Sequence, residues 1–301
     1  MSIFHHLHTI SELYTLFQLK HPVRHPLIAV VDFAEVNGHI TEETKISSDY
    51  YSMMFKNTGN NNIRYGRKMI DFQDGSLICM APNQVISMNV DENASDITPG
   101  WGLFFHPDLI SSSSLNERMK EYSFFAYETS EALHLSDKEK QILYECVSKI
   151  DAELKENIDG YSQTIIVSNI ELLLNYCTRF YARQFITRKS SNSIIVAQIE
   201  KVLRDYFEEK PQENGLPTVR YLADKVHLSA SYLSDLLKKE TGKNAQDHIH
   251  FYLIQEGKNM LLSTTKSVAE IAYALGFDYP QYFNKLFKQK TGKTPIQFRG
   301  V

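Results

Sequence analysis

The stretch PQYFNKLFKQKTGK, residues 280–293, holds amides and lysines on what reads as one short helix. With Phe283, Leu286 and Phe287 turned inward by the helical period, Pro280, Gln281, Asn284, Lys285 and Lys288 are left on the outer side. Gln281 and Asn284 each carry the paired donor and acceptor that read an adenine edge. Lys285 reads guanine or holds a phosphate, and Lys288 meets a phosphate. Pro280 near the first turn costs no helical hydrogen bond. Taken singly, each of these residues also fits an ordinary solvated helix surface.

Fifty residues upstream the pattern recurs. YLSDLLKKETGK (232–243) and YFNKLFKQKTGK (282–293) share six of twelve positions, and two more exchange leucine for phenylalanine. This is a duplication of a small helical unit. In the first copy Leu233, Leu236 and Leu237 form the inward set. Ser231, Ser234 and Asp235 lie outside, followed by Lys238 and Lys239. Asp235 either accepts from a cytosine amine or repels phosphate, so the first copy is expected to read fewer bases and mainly to position the protein.

Each copy has an upstream partner helix. Ser267 and Glu270 make a capping-box pattern, Ile271, Ala272 and Leu275 make an apolar face, and Gly276 falls where a helix stops. Leu222, Ala223, Val226 and Leu228 repeat the design in the first copy, with His227 in the glycine's place. A short helix, a tight turn and a second helix with one buried and one basic side is the helix-turn-helix plan.

Charge agrees. Of 32 Lys and Arg and 36 Asp and Glu in 301 residues, the segment 216–301 holds 12 and 7, leaving 20 against 29 for residues 1–215. An acidic body joined to a basic tail places any polyanion at the tail. The chain has 43% hydrophobic and 23% charged residues, and no run of eighteen apolar ones. It reads as a soluble cytoplasmic protein with no membrane partner. Cys79, Cys146 and Cys177 are scattered among apolar neighbours and read as buried hydrophobes. The HHLH run at 5–8 lacks an accompanying CxxC or HExxH and reads as a plain N-terminal segment, with no metal or other cofactor expected.

The elements ahead of the tail are of two kinds. LIAVVDFAEV (27–36), YYSMMFKN (50–57), RKMIDF (67–72) and SLICMAP (76–82) are short, β-branched or aromatic, and separated by turn residues, as in a small barrel or sandwich whose interior is either packed or a ligand cavity. From 136 the period becomes helical in SDKEKQILYECVSKIDAELKE and NIELLLNYCTRFYARQF. These two helices either pack on the β-structure, or form a homodimer interface through residues 136–186, or do both. RKSSNS at 188–193 fits a hinge. The expected division is 1–188, a linker at 189–195, and an all-helical domain at 196–301.

SVAEIAYALGFDYPQYFNKLFKQKTGKTPIQFR (267–299) resembles the C-terminal signature of AraC/XylS-type transcriptional regulators. LADKVHLSASYLSDLLKKETGK (222–243) resembles the first helix-turn-helix of the same domain. The IAxxLGF turn and the YFxxxFKxxTGxTPxxFR tail carry the likeness, which covers about 100 of the 301 residues. The resemblance implies that a linker helix, matching IHFYLIQEGKNML (249–261), holds the two units so that one monomer enters successive major grooves of double-stranded DNA. Leu253 stands where the family usually has arginine, Gly257 where it has alanine, and Asp235 where a basic residue is frequent. These departures suggest modest or conditional affinity. By weaker resemblance the fold class is α+β, an N-terminal cupin-like β-barrel with two trailing helices followed by the double helix-turn-helix domain. The barrel would sense a small-molecule effector or a partner, and RNA polymerase would be contacted by an activator. GSLICMAPNQVISM (75–88) lacks the histidine pair of metal-binding cupins, and His106 in FFHP reads as structural. An enzyme on the barrel and a protein-interaction module are the other two classes, and the basic duplicated tail favours neither.

Overall fold

The computed structural model describes residues 3–36, 44–56, 63–65, 68–70, 75–88, 99–127, 131–156, 159–187, 189–208 and 215–300. Parts of three stretches singled out in the sequence, Asn57, Arg67 with Asp71 and Phe72, and Arg188, lie outside them. The chain divides into two compact units, residues 1–184 and 185–301.

Among the described residues of the first unit, ten strands fall into two five-stranded sheets. The first sheet contains β1 (Ile3–Leu7), β3 (Thr44–Ser48), β5 (Ile63–Tyr65), β6 (Lys68–Ile70) and β8 (Ile86–Met88), in the order β1-β3-β8-β5-β6. β2 (Ile28–Asp32), β4 (Tyr51–Lys56), β7 (Ser76–Met80), β9 (Gly100–Phe105) and β10 (Leu133–His134) form the second, in the order β10-β7-β4-β9-β2. The expected cupin-like β-barrel is therefore corrected. Closure requires the outer strands of a sheet to pair with each other or with a neighbouring sheet. Among the described residues β1 and β6, and β10 and β2, end their sheets without doing so. The fold is α+β, with an N-terminal β-sheet region and an all-helical C-terminal region, and no barrel closure is seen among the described residues.

The sheets share one apolar core. Leu7, Ile46 and Ile86 from the first join Ala29, Val31, Met54, Ile78, Met80 and Phe104 from the second, together with Ile10, Leu13 and Phe17 of helix α1 (Ile10–Phe17). Among the described residues a small cavity of about 30 Å³ lies within this core. The opposite face of the second sheet is buried as well, since β7 has every residue covered and β4 four in succession. A strand covered on both faces reads as a continuous apolar run rather than an alternation, which is what SLICM and SMMF show. Tyr51 of β4 stacks on Phe105 of β9 and meets Phe125 edge-on, and Phe124 stacks on Tyr181 of a long helix.

Two short helices, α2 (Pro107–Ile110) and α3 (Ser114–Arg118), follow β9. His106 caps α2, its Nδ1 accepting from the Asp108 amide at 3.2 Å. α4 (Asp137–Lys155) starts with a capping box between Ser136 and Glu139. α5 (Ser162–Thr187) is fastened to β10: Gln184 accepts from the His134 amide at 2.8 Å, and Arg183 donates to Glu139 at 3.0 and 2.7 Å and to the His134 carbonyl at 2.7 Å. Of the two readings of these helices, packing on the β-structure is thus realised. All three cysteines are buried and free, and burial pushes their thiols up. Among the described residues no helix is long and apolar enough to cross a membrane.

The second unit holds α6 (Lys189–Glu208), α7 (Val219–Val226), α8 (Ala230–Thr241), α9 (Ala245–Ser263), α10 (Val268–Ala274), α11 (Pro280–Thr291) and α12 (Pro295–Arg299). Residues 189–195, read in the sequence as a linker, lie within α6.

Tyr50, only 2% exposed, buries a hydroxyl that has no hydrogen-bond partner among the described residues. Desolvation without a partner costs stability, so Tyr50→Phe is expected to raise the unfolding free energy by about 1 kcal/mol. Urea denaturation of the full chain checks this, and a loss of that size would show that the hydroxyl is satisfied.

Candidate nucleic-acid interface

The site is built from two copies of one turn. Thr218 caps α7 by accepting from the Tyr221 amide, and Ser229 caps α8 by accepting from that of Tyr232. Between them His227 takes the left-handed conformation, φ +59°, the role that Gly276 fills at φ +90° in the second copy. A non-glycine residue there is uncommon, and histidine is among the side chains enriched in it. In the second copy Ser267 and Glu270 form the expected capping box on α10, and Pro280 opens α11 at its first turn.

The ends of α8 and α11 are chemically the same. The Thr241 hydroxyl donates to the Leu237 carbonyl at 2.8 Å and accepts from the Lys243 amide at 3.3 Å. Thr291 does the same with Phe287 and Lys293, at 2.8 and 3.2 Å. Gly242 and Gly292 follow at φ +76° and +78°. A threonine that ties off the last turn and a glycine free to go left-handed explain why TGK is common to both copies.

Leu233, Leu236 and Leu237 are buried in α8, as are Phe283 and Phe287 in α11, while Leu286 is half-buried. The outward residues then align. Gln281, Asn284, Lys285 and Lys288 follow one another at spacings that keep them on a single stripe of α11, all four exposed. Ser231, Ser234, Asp235 and Lys238 occupy the matching stripe of α8, where Lys238 is exposed and the other three are half-buried. Pro280 is half-buried at the head of its helix. Ser234 is engaged within the protein, its hydroxyl accepting from the Ala245 amide at 3.4 Å. The two stripes are therefore not equivalent. One is amide and lysine in open solvent, and the other is small, partly covered and acidic at Asp235.

Sequence comparison of the copies hides a further difference. Tyr232 is buried, with its ring 5.0 Å from that of Phe185, whereas its counterpart Tyr282 is 59% exposed beside Tyr279, at a ring distance of 5.9 Å. Phe185 near the end of α5 lies against Tyr232, and α6 packs on the first copy, on α7 and α8. The resulting aromatic pair at the head of α11 adds apolar and hydroxyl contact surface next to Gln281. The only signal for it in the sequence is that the tyrosine falls off the buried period of the helix.

α9 holds both copies. It is buried at Ile249, Leu253, Ile254, Gly257 and Leu261, and it touches every other helix of the unit. Leu253, 1% exposed, is a core residue here. Lys290 of α11 pairs with Asp247 of α9 at 2.9 Å, and the hydrogen bond from Lys290 holds the Asp247 carboxyl below the usual range.

Residues 222–300 match the family model described as a helix-turn-helix domain. The chain is 25% identical over 162 residues to the HTH-type transcriptional regulator YfiF of Bacillus subtilis, covering 54% of this chain and 48% of that protein. Over 113 residues it is 33% identical to the HTH-type regulator YobQ of the same organism, covering 33% and 47%. Among solved structures, the C-terminal domain of the response regulator yesN from Fusobacterium nucleatum is 32% identical, with 33% of this chain and 96% of that chain covered at a TM-score of 0.30. The chain spans about half or less of the length of the curated relatives it matches. The names of YfiF and YobQ describe regulators of transcription.

A Cβ placed on Gly257 would lie 3.0 and 3.1 Å from the ring of Phe283, which is fully buried. Alanine gains roughly 0.8–1 kcal/mol in a helix interior, but overpacking a closed core costs about 1–3 kcal/mol. Gly257→Ala is therefore expected to destabilise the protein by about 1 kcal/mol net. A rise in the urea midpoint instead would mean that the Phe283 ring yields freely.

Proposed function

We propose that the chain is a sequence-specific DNA-binding regulator of transcription of the AraC/XylS type, whose two helix-turn-helix units enter adjacent major grooves. The carrying observation is the pair of matching stripes on α8 and α11, repeated fifty residues apart and held on one central helix. Gln281 and Asn284 read base edges, Lys285 reads guanine or holds a phosphate, and Lys288 neutralises a phosphate. Ser231, Ser234, Asp235 and Lys238 position the first unit, with fewer base contacts than the second. The engagement of Ser234 with the start of α9 supports that asymmetry.

In this reading residues 1–188 modulate DNA binding through a small-molecule effector and pair subunits through residues 136–186, and an activator would contact RNA polymerase. The space between the sheets, about 30 Å³, is too small for an effector. A cleft of about 500 Å³ beside α4, lined by Arg24, Asp32, Trp101, Tyr144 and Asp151 among others, has the size and the polar groups that an effector site needs. Exposed Ile165 and Leu172 on α5 are the apolar positions that support pairing.

The test is selection from a random DNA library by the full chain, followed by anisotropy titration at two salt concentrations. One motif with direct repeats about a helical turn apart is expected. Gln281→Ala should relax preference at one or two positions, at about 1–3 kcal/mol each. Lys288→Ala should weaken binding to all sequences and lower the salt slope by about 1. Equal losses on selected and random DNA for Gln281→Ala would remove that residue from base reading, and failure to enrich any motif would defeat the proposal.

A further inference from the structure

The N-terminal edge strand brings together a group that the sequence leaves dispersed. β1 pairs in parallel with β3, with His6 opposite Ser47 and Leu7 opposite Ser48. The ladder continues one residue further, since the Asp49 amide donates to the Leu7 carbonyl at 3.0 Å. Side chains alternate along a strand, so Leu7 enters the core while His6 and His8 share the other side. Asp49 lies between the two rings, its Oδ1 2.8 Å from His6 Nε2 and its Oδ2 2.7 Å from His8 Nδ1, with the ring centroids 4.5 Å apart.

We propose that His6, His8 and Asp49 form a binding site for a divalent transition-metal ion of the zinc type, which clasps the edge strand β1 to the end of β3. The three ligand atoms lie within 4.8 Å of one another. An ion at about 2.0–2.2 Å from each, in tetrahedral geometry, needs ligand atoms about 3.3 Å apart. The pairs now at 2.7 and 2.8 Å must open by about half an ångström, and the ion takes the place of the proton shared in each. His8 has room to do so, being 63% exposed. Two imidazoles and one carboxylate suit zinc, copper or nickel, whereas calcium and magnesium prefer all-oxygen sites.

The surroundings fit a ligand role. Ser47 Oγ lies 2.6 Å from His6 Nδ1, where it accepts that N–H and leaves Nε2 free for the ion, fixing ring and tautomer as metal-bound histidines require. The Glu12 carboxylate accepts from the His8 amide at 2.8 Å and so adds a second negative charge near the ligands. Coordination positions beyond the three protein ligands face solvent, so the ion exchanges freely. Because β1 pairs only with β3 among the described residues and contributes Leu7 to the shared core, occupancy stabilises the N-terminal unit.

The experiment is calorimetric titration of the chelator-treated full chain with Zn²⁺, with Co²⁺ as a spectroscopic probe and circular dichroism as the check on folding. One saturable site per chain and a rise in the thermal midpoint are expected. His8→Gln and Asp49→Asn should abolish both the site and the rise. Ser47→Ala should weaken binding by about 10–100-fold, and His5→Gln, on the other side of the strand, should bind as the unaltered chain does. A site that survives His8→Gln and Asp49→Asn, or the absence of any saturable binding, would overturn the proposal and leave the three residues as a hydrogen-bonded clamp. If either of those two variants is unfolded, the contrast between Ser47→Ala and His5→Gln decides.

Discussion

The contact between Gly257 and the Phe283 ring sets the geometry of the C-terminal unit. α9 buries Ile249, Leu253, Ile254, Gly257 and Leu261 between the two helix-turn-helix copies, and a buried position tolerates little volume change where its neighbours are already at van der Waals distance. With no Cβ at position 257, the phenylalanine ring lies directly against the helix backbone. α11 is thereby seated, and its outer stripe is fixed relative to α9. Lys290 and Asp247 tie off the other end of the same helix. The orientation of Gln281 and Asn284 is thus a consequence of the packing of Phe283 on the inner side of α11.

The two copies diverge because they are packed differently, although their turns are chemically alike. Thr241 with Gly242 and Thr291 with Gly292 close their helices through the same hydrogen bonds. α6 packs on the first copy, where Tyr232 is buried against Phe185, while Tyr282 stays in solvent beside Tyr279. Ser234 is held by the start of α9, whereas Asn284 is exposed. A duplicated sequence has therefore produced one open surface and one partly occupied by its own protein.

In the N-terminal unit the organising feature is a sheet buried on both faces. The other sheet and α1 cover one side, and aromatic residues from Tyr51, Phe105 and Phe125 to Tyr181 of α5 fill the other. That arrangement leaves little space in the interior and puts the large cleft outside, beside α4. Barrel closure was misjudged from the sequence because short apolar strands separated by turns look the same whether their sheets close or stack. The deciding fact is which outer strands pair, and pairing across a chain has no local signature.

What the sequence by itself determined is whatever depends on a few neighbouring residues. The Ser267–Glu270 and Ser136–Glu139 capping boxes, Pro280 at a first turn, the glycine stops and the buried period of α8 and α11 are local chemistry, and the repeat made the helix-turn-helix plan legible twice. Tertiary structure decided the rest. His227 is left-handed because the turn between α7 and α8 has to close as its glycine counterpart does. Gly257, which reads as a defect in a helix, is the space that a distant phenylalanine needs. Asp49 meets His6 and His8 only because β1 and β3 run in parallel and in one register, so that residues more than forty positions apart arrive at the same point of a sheet edge.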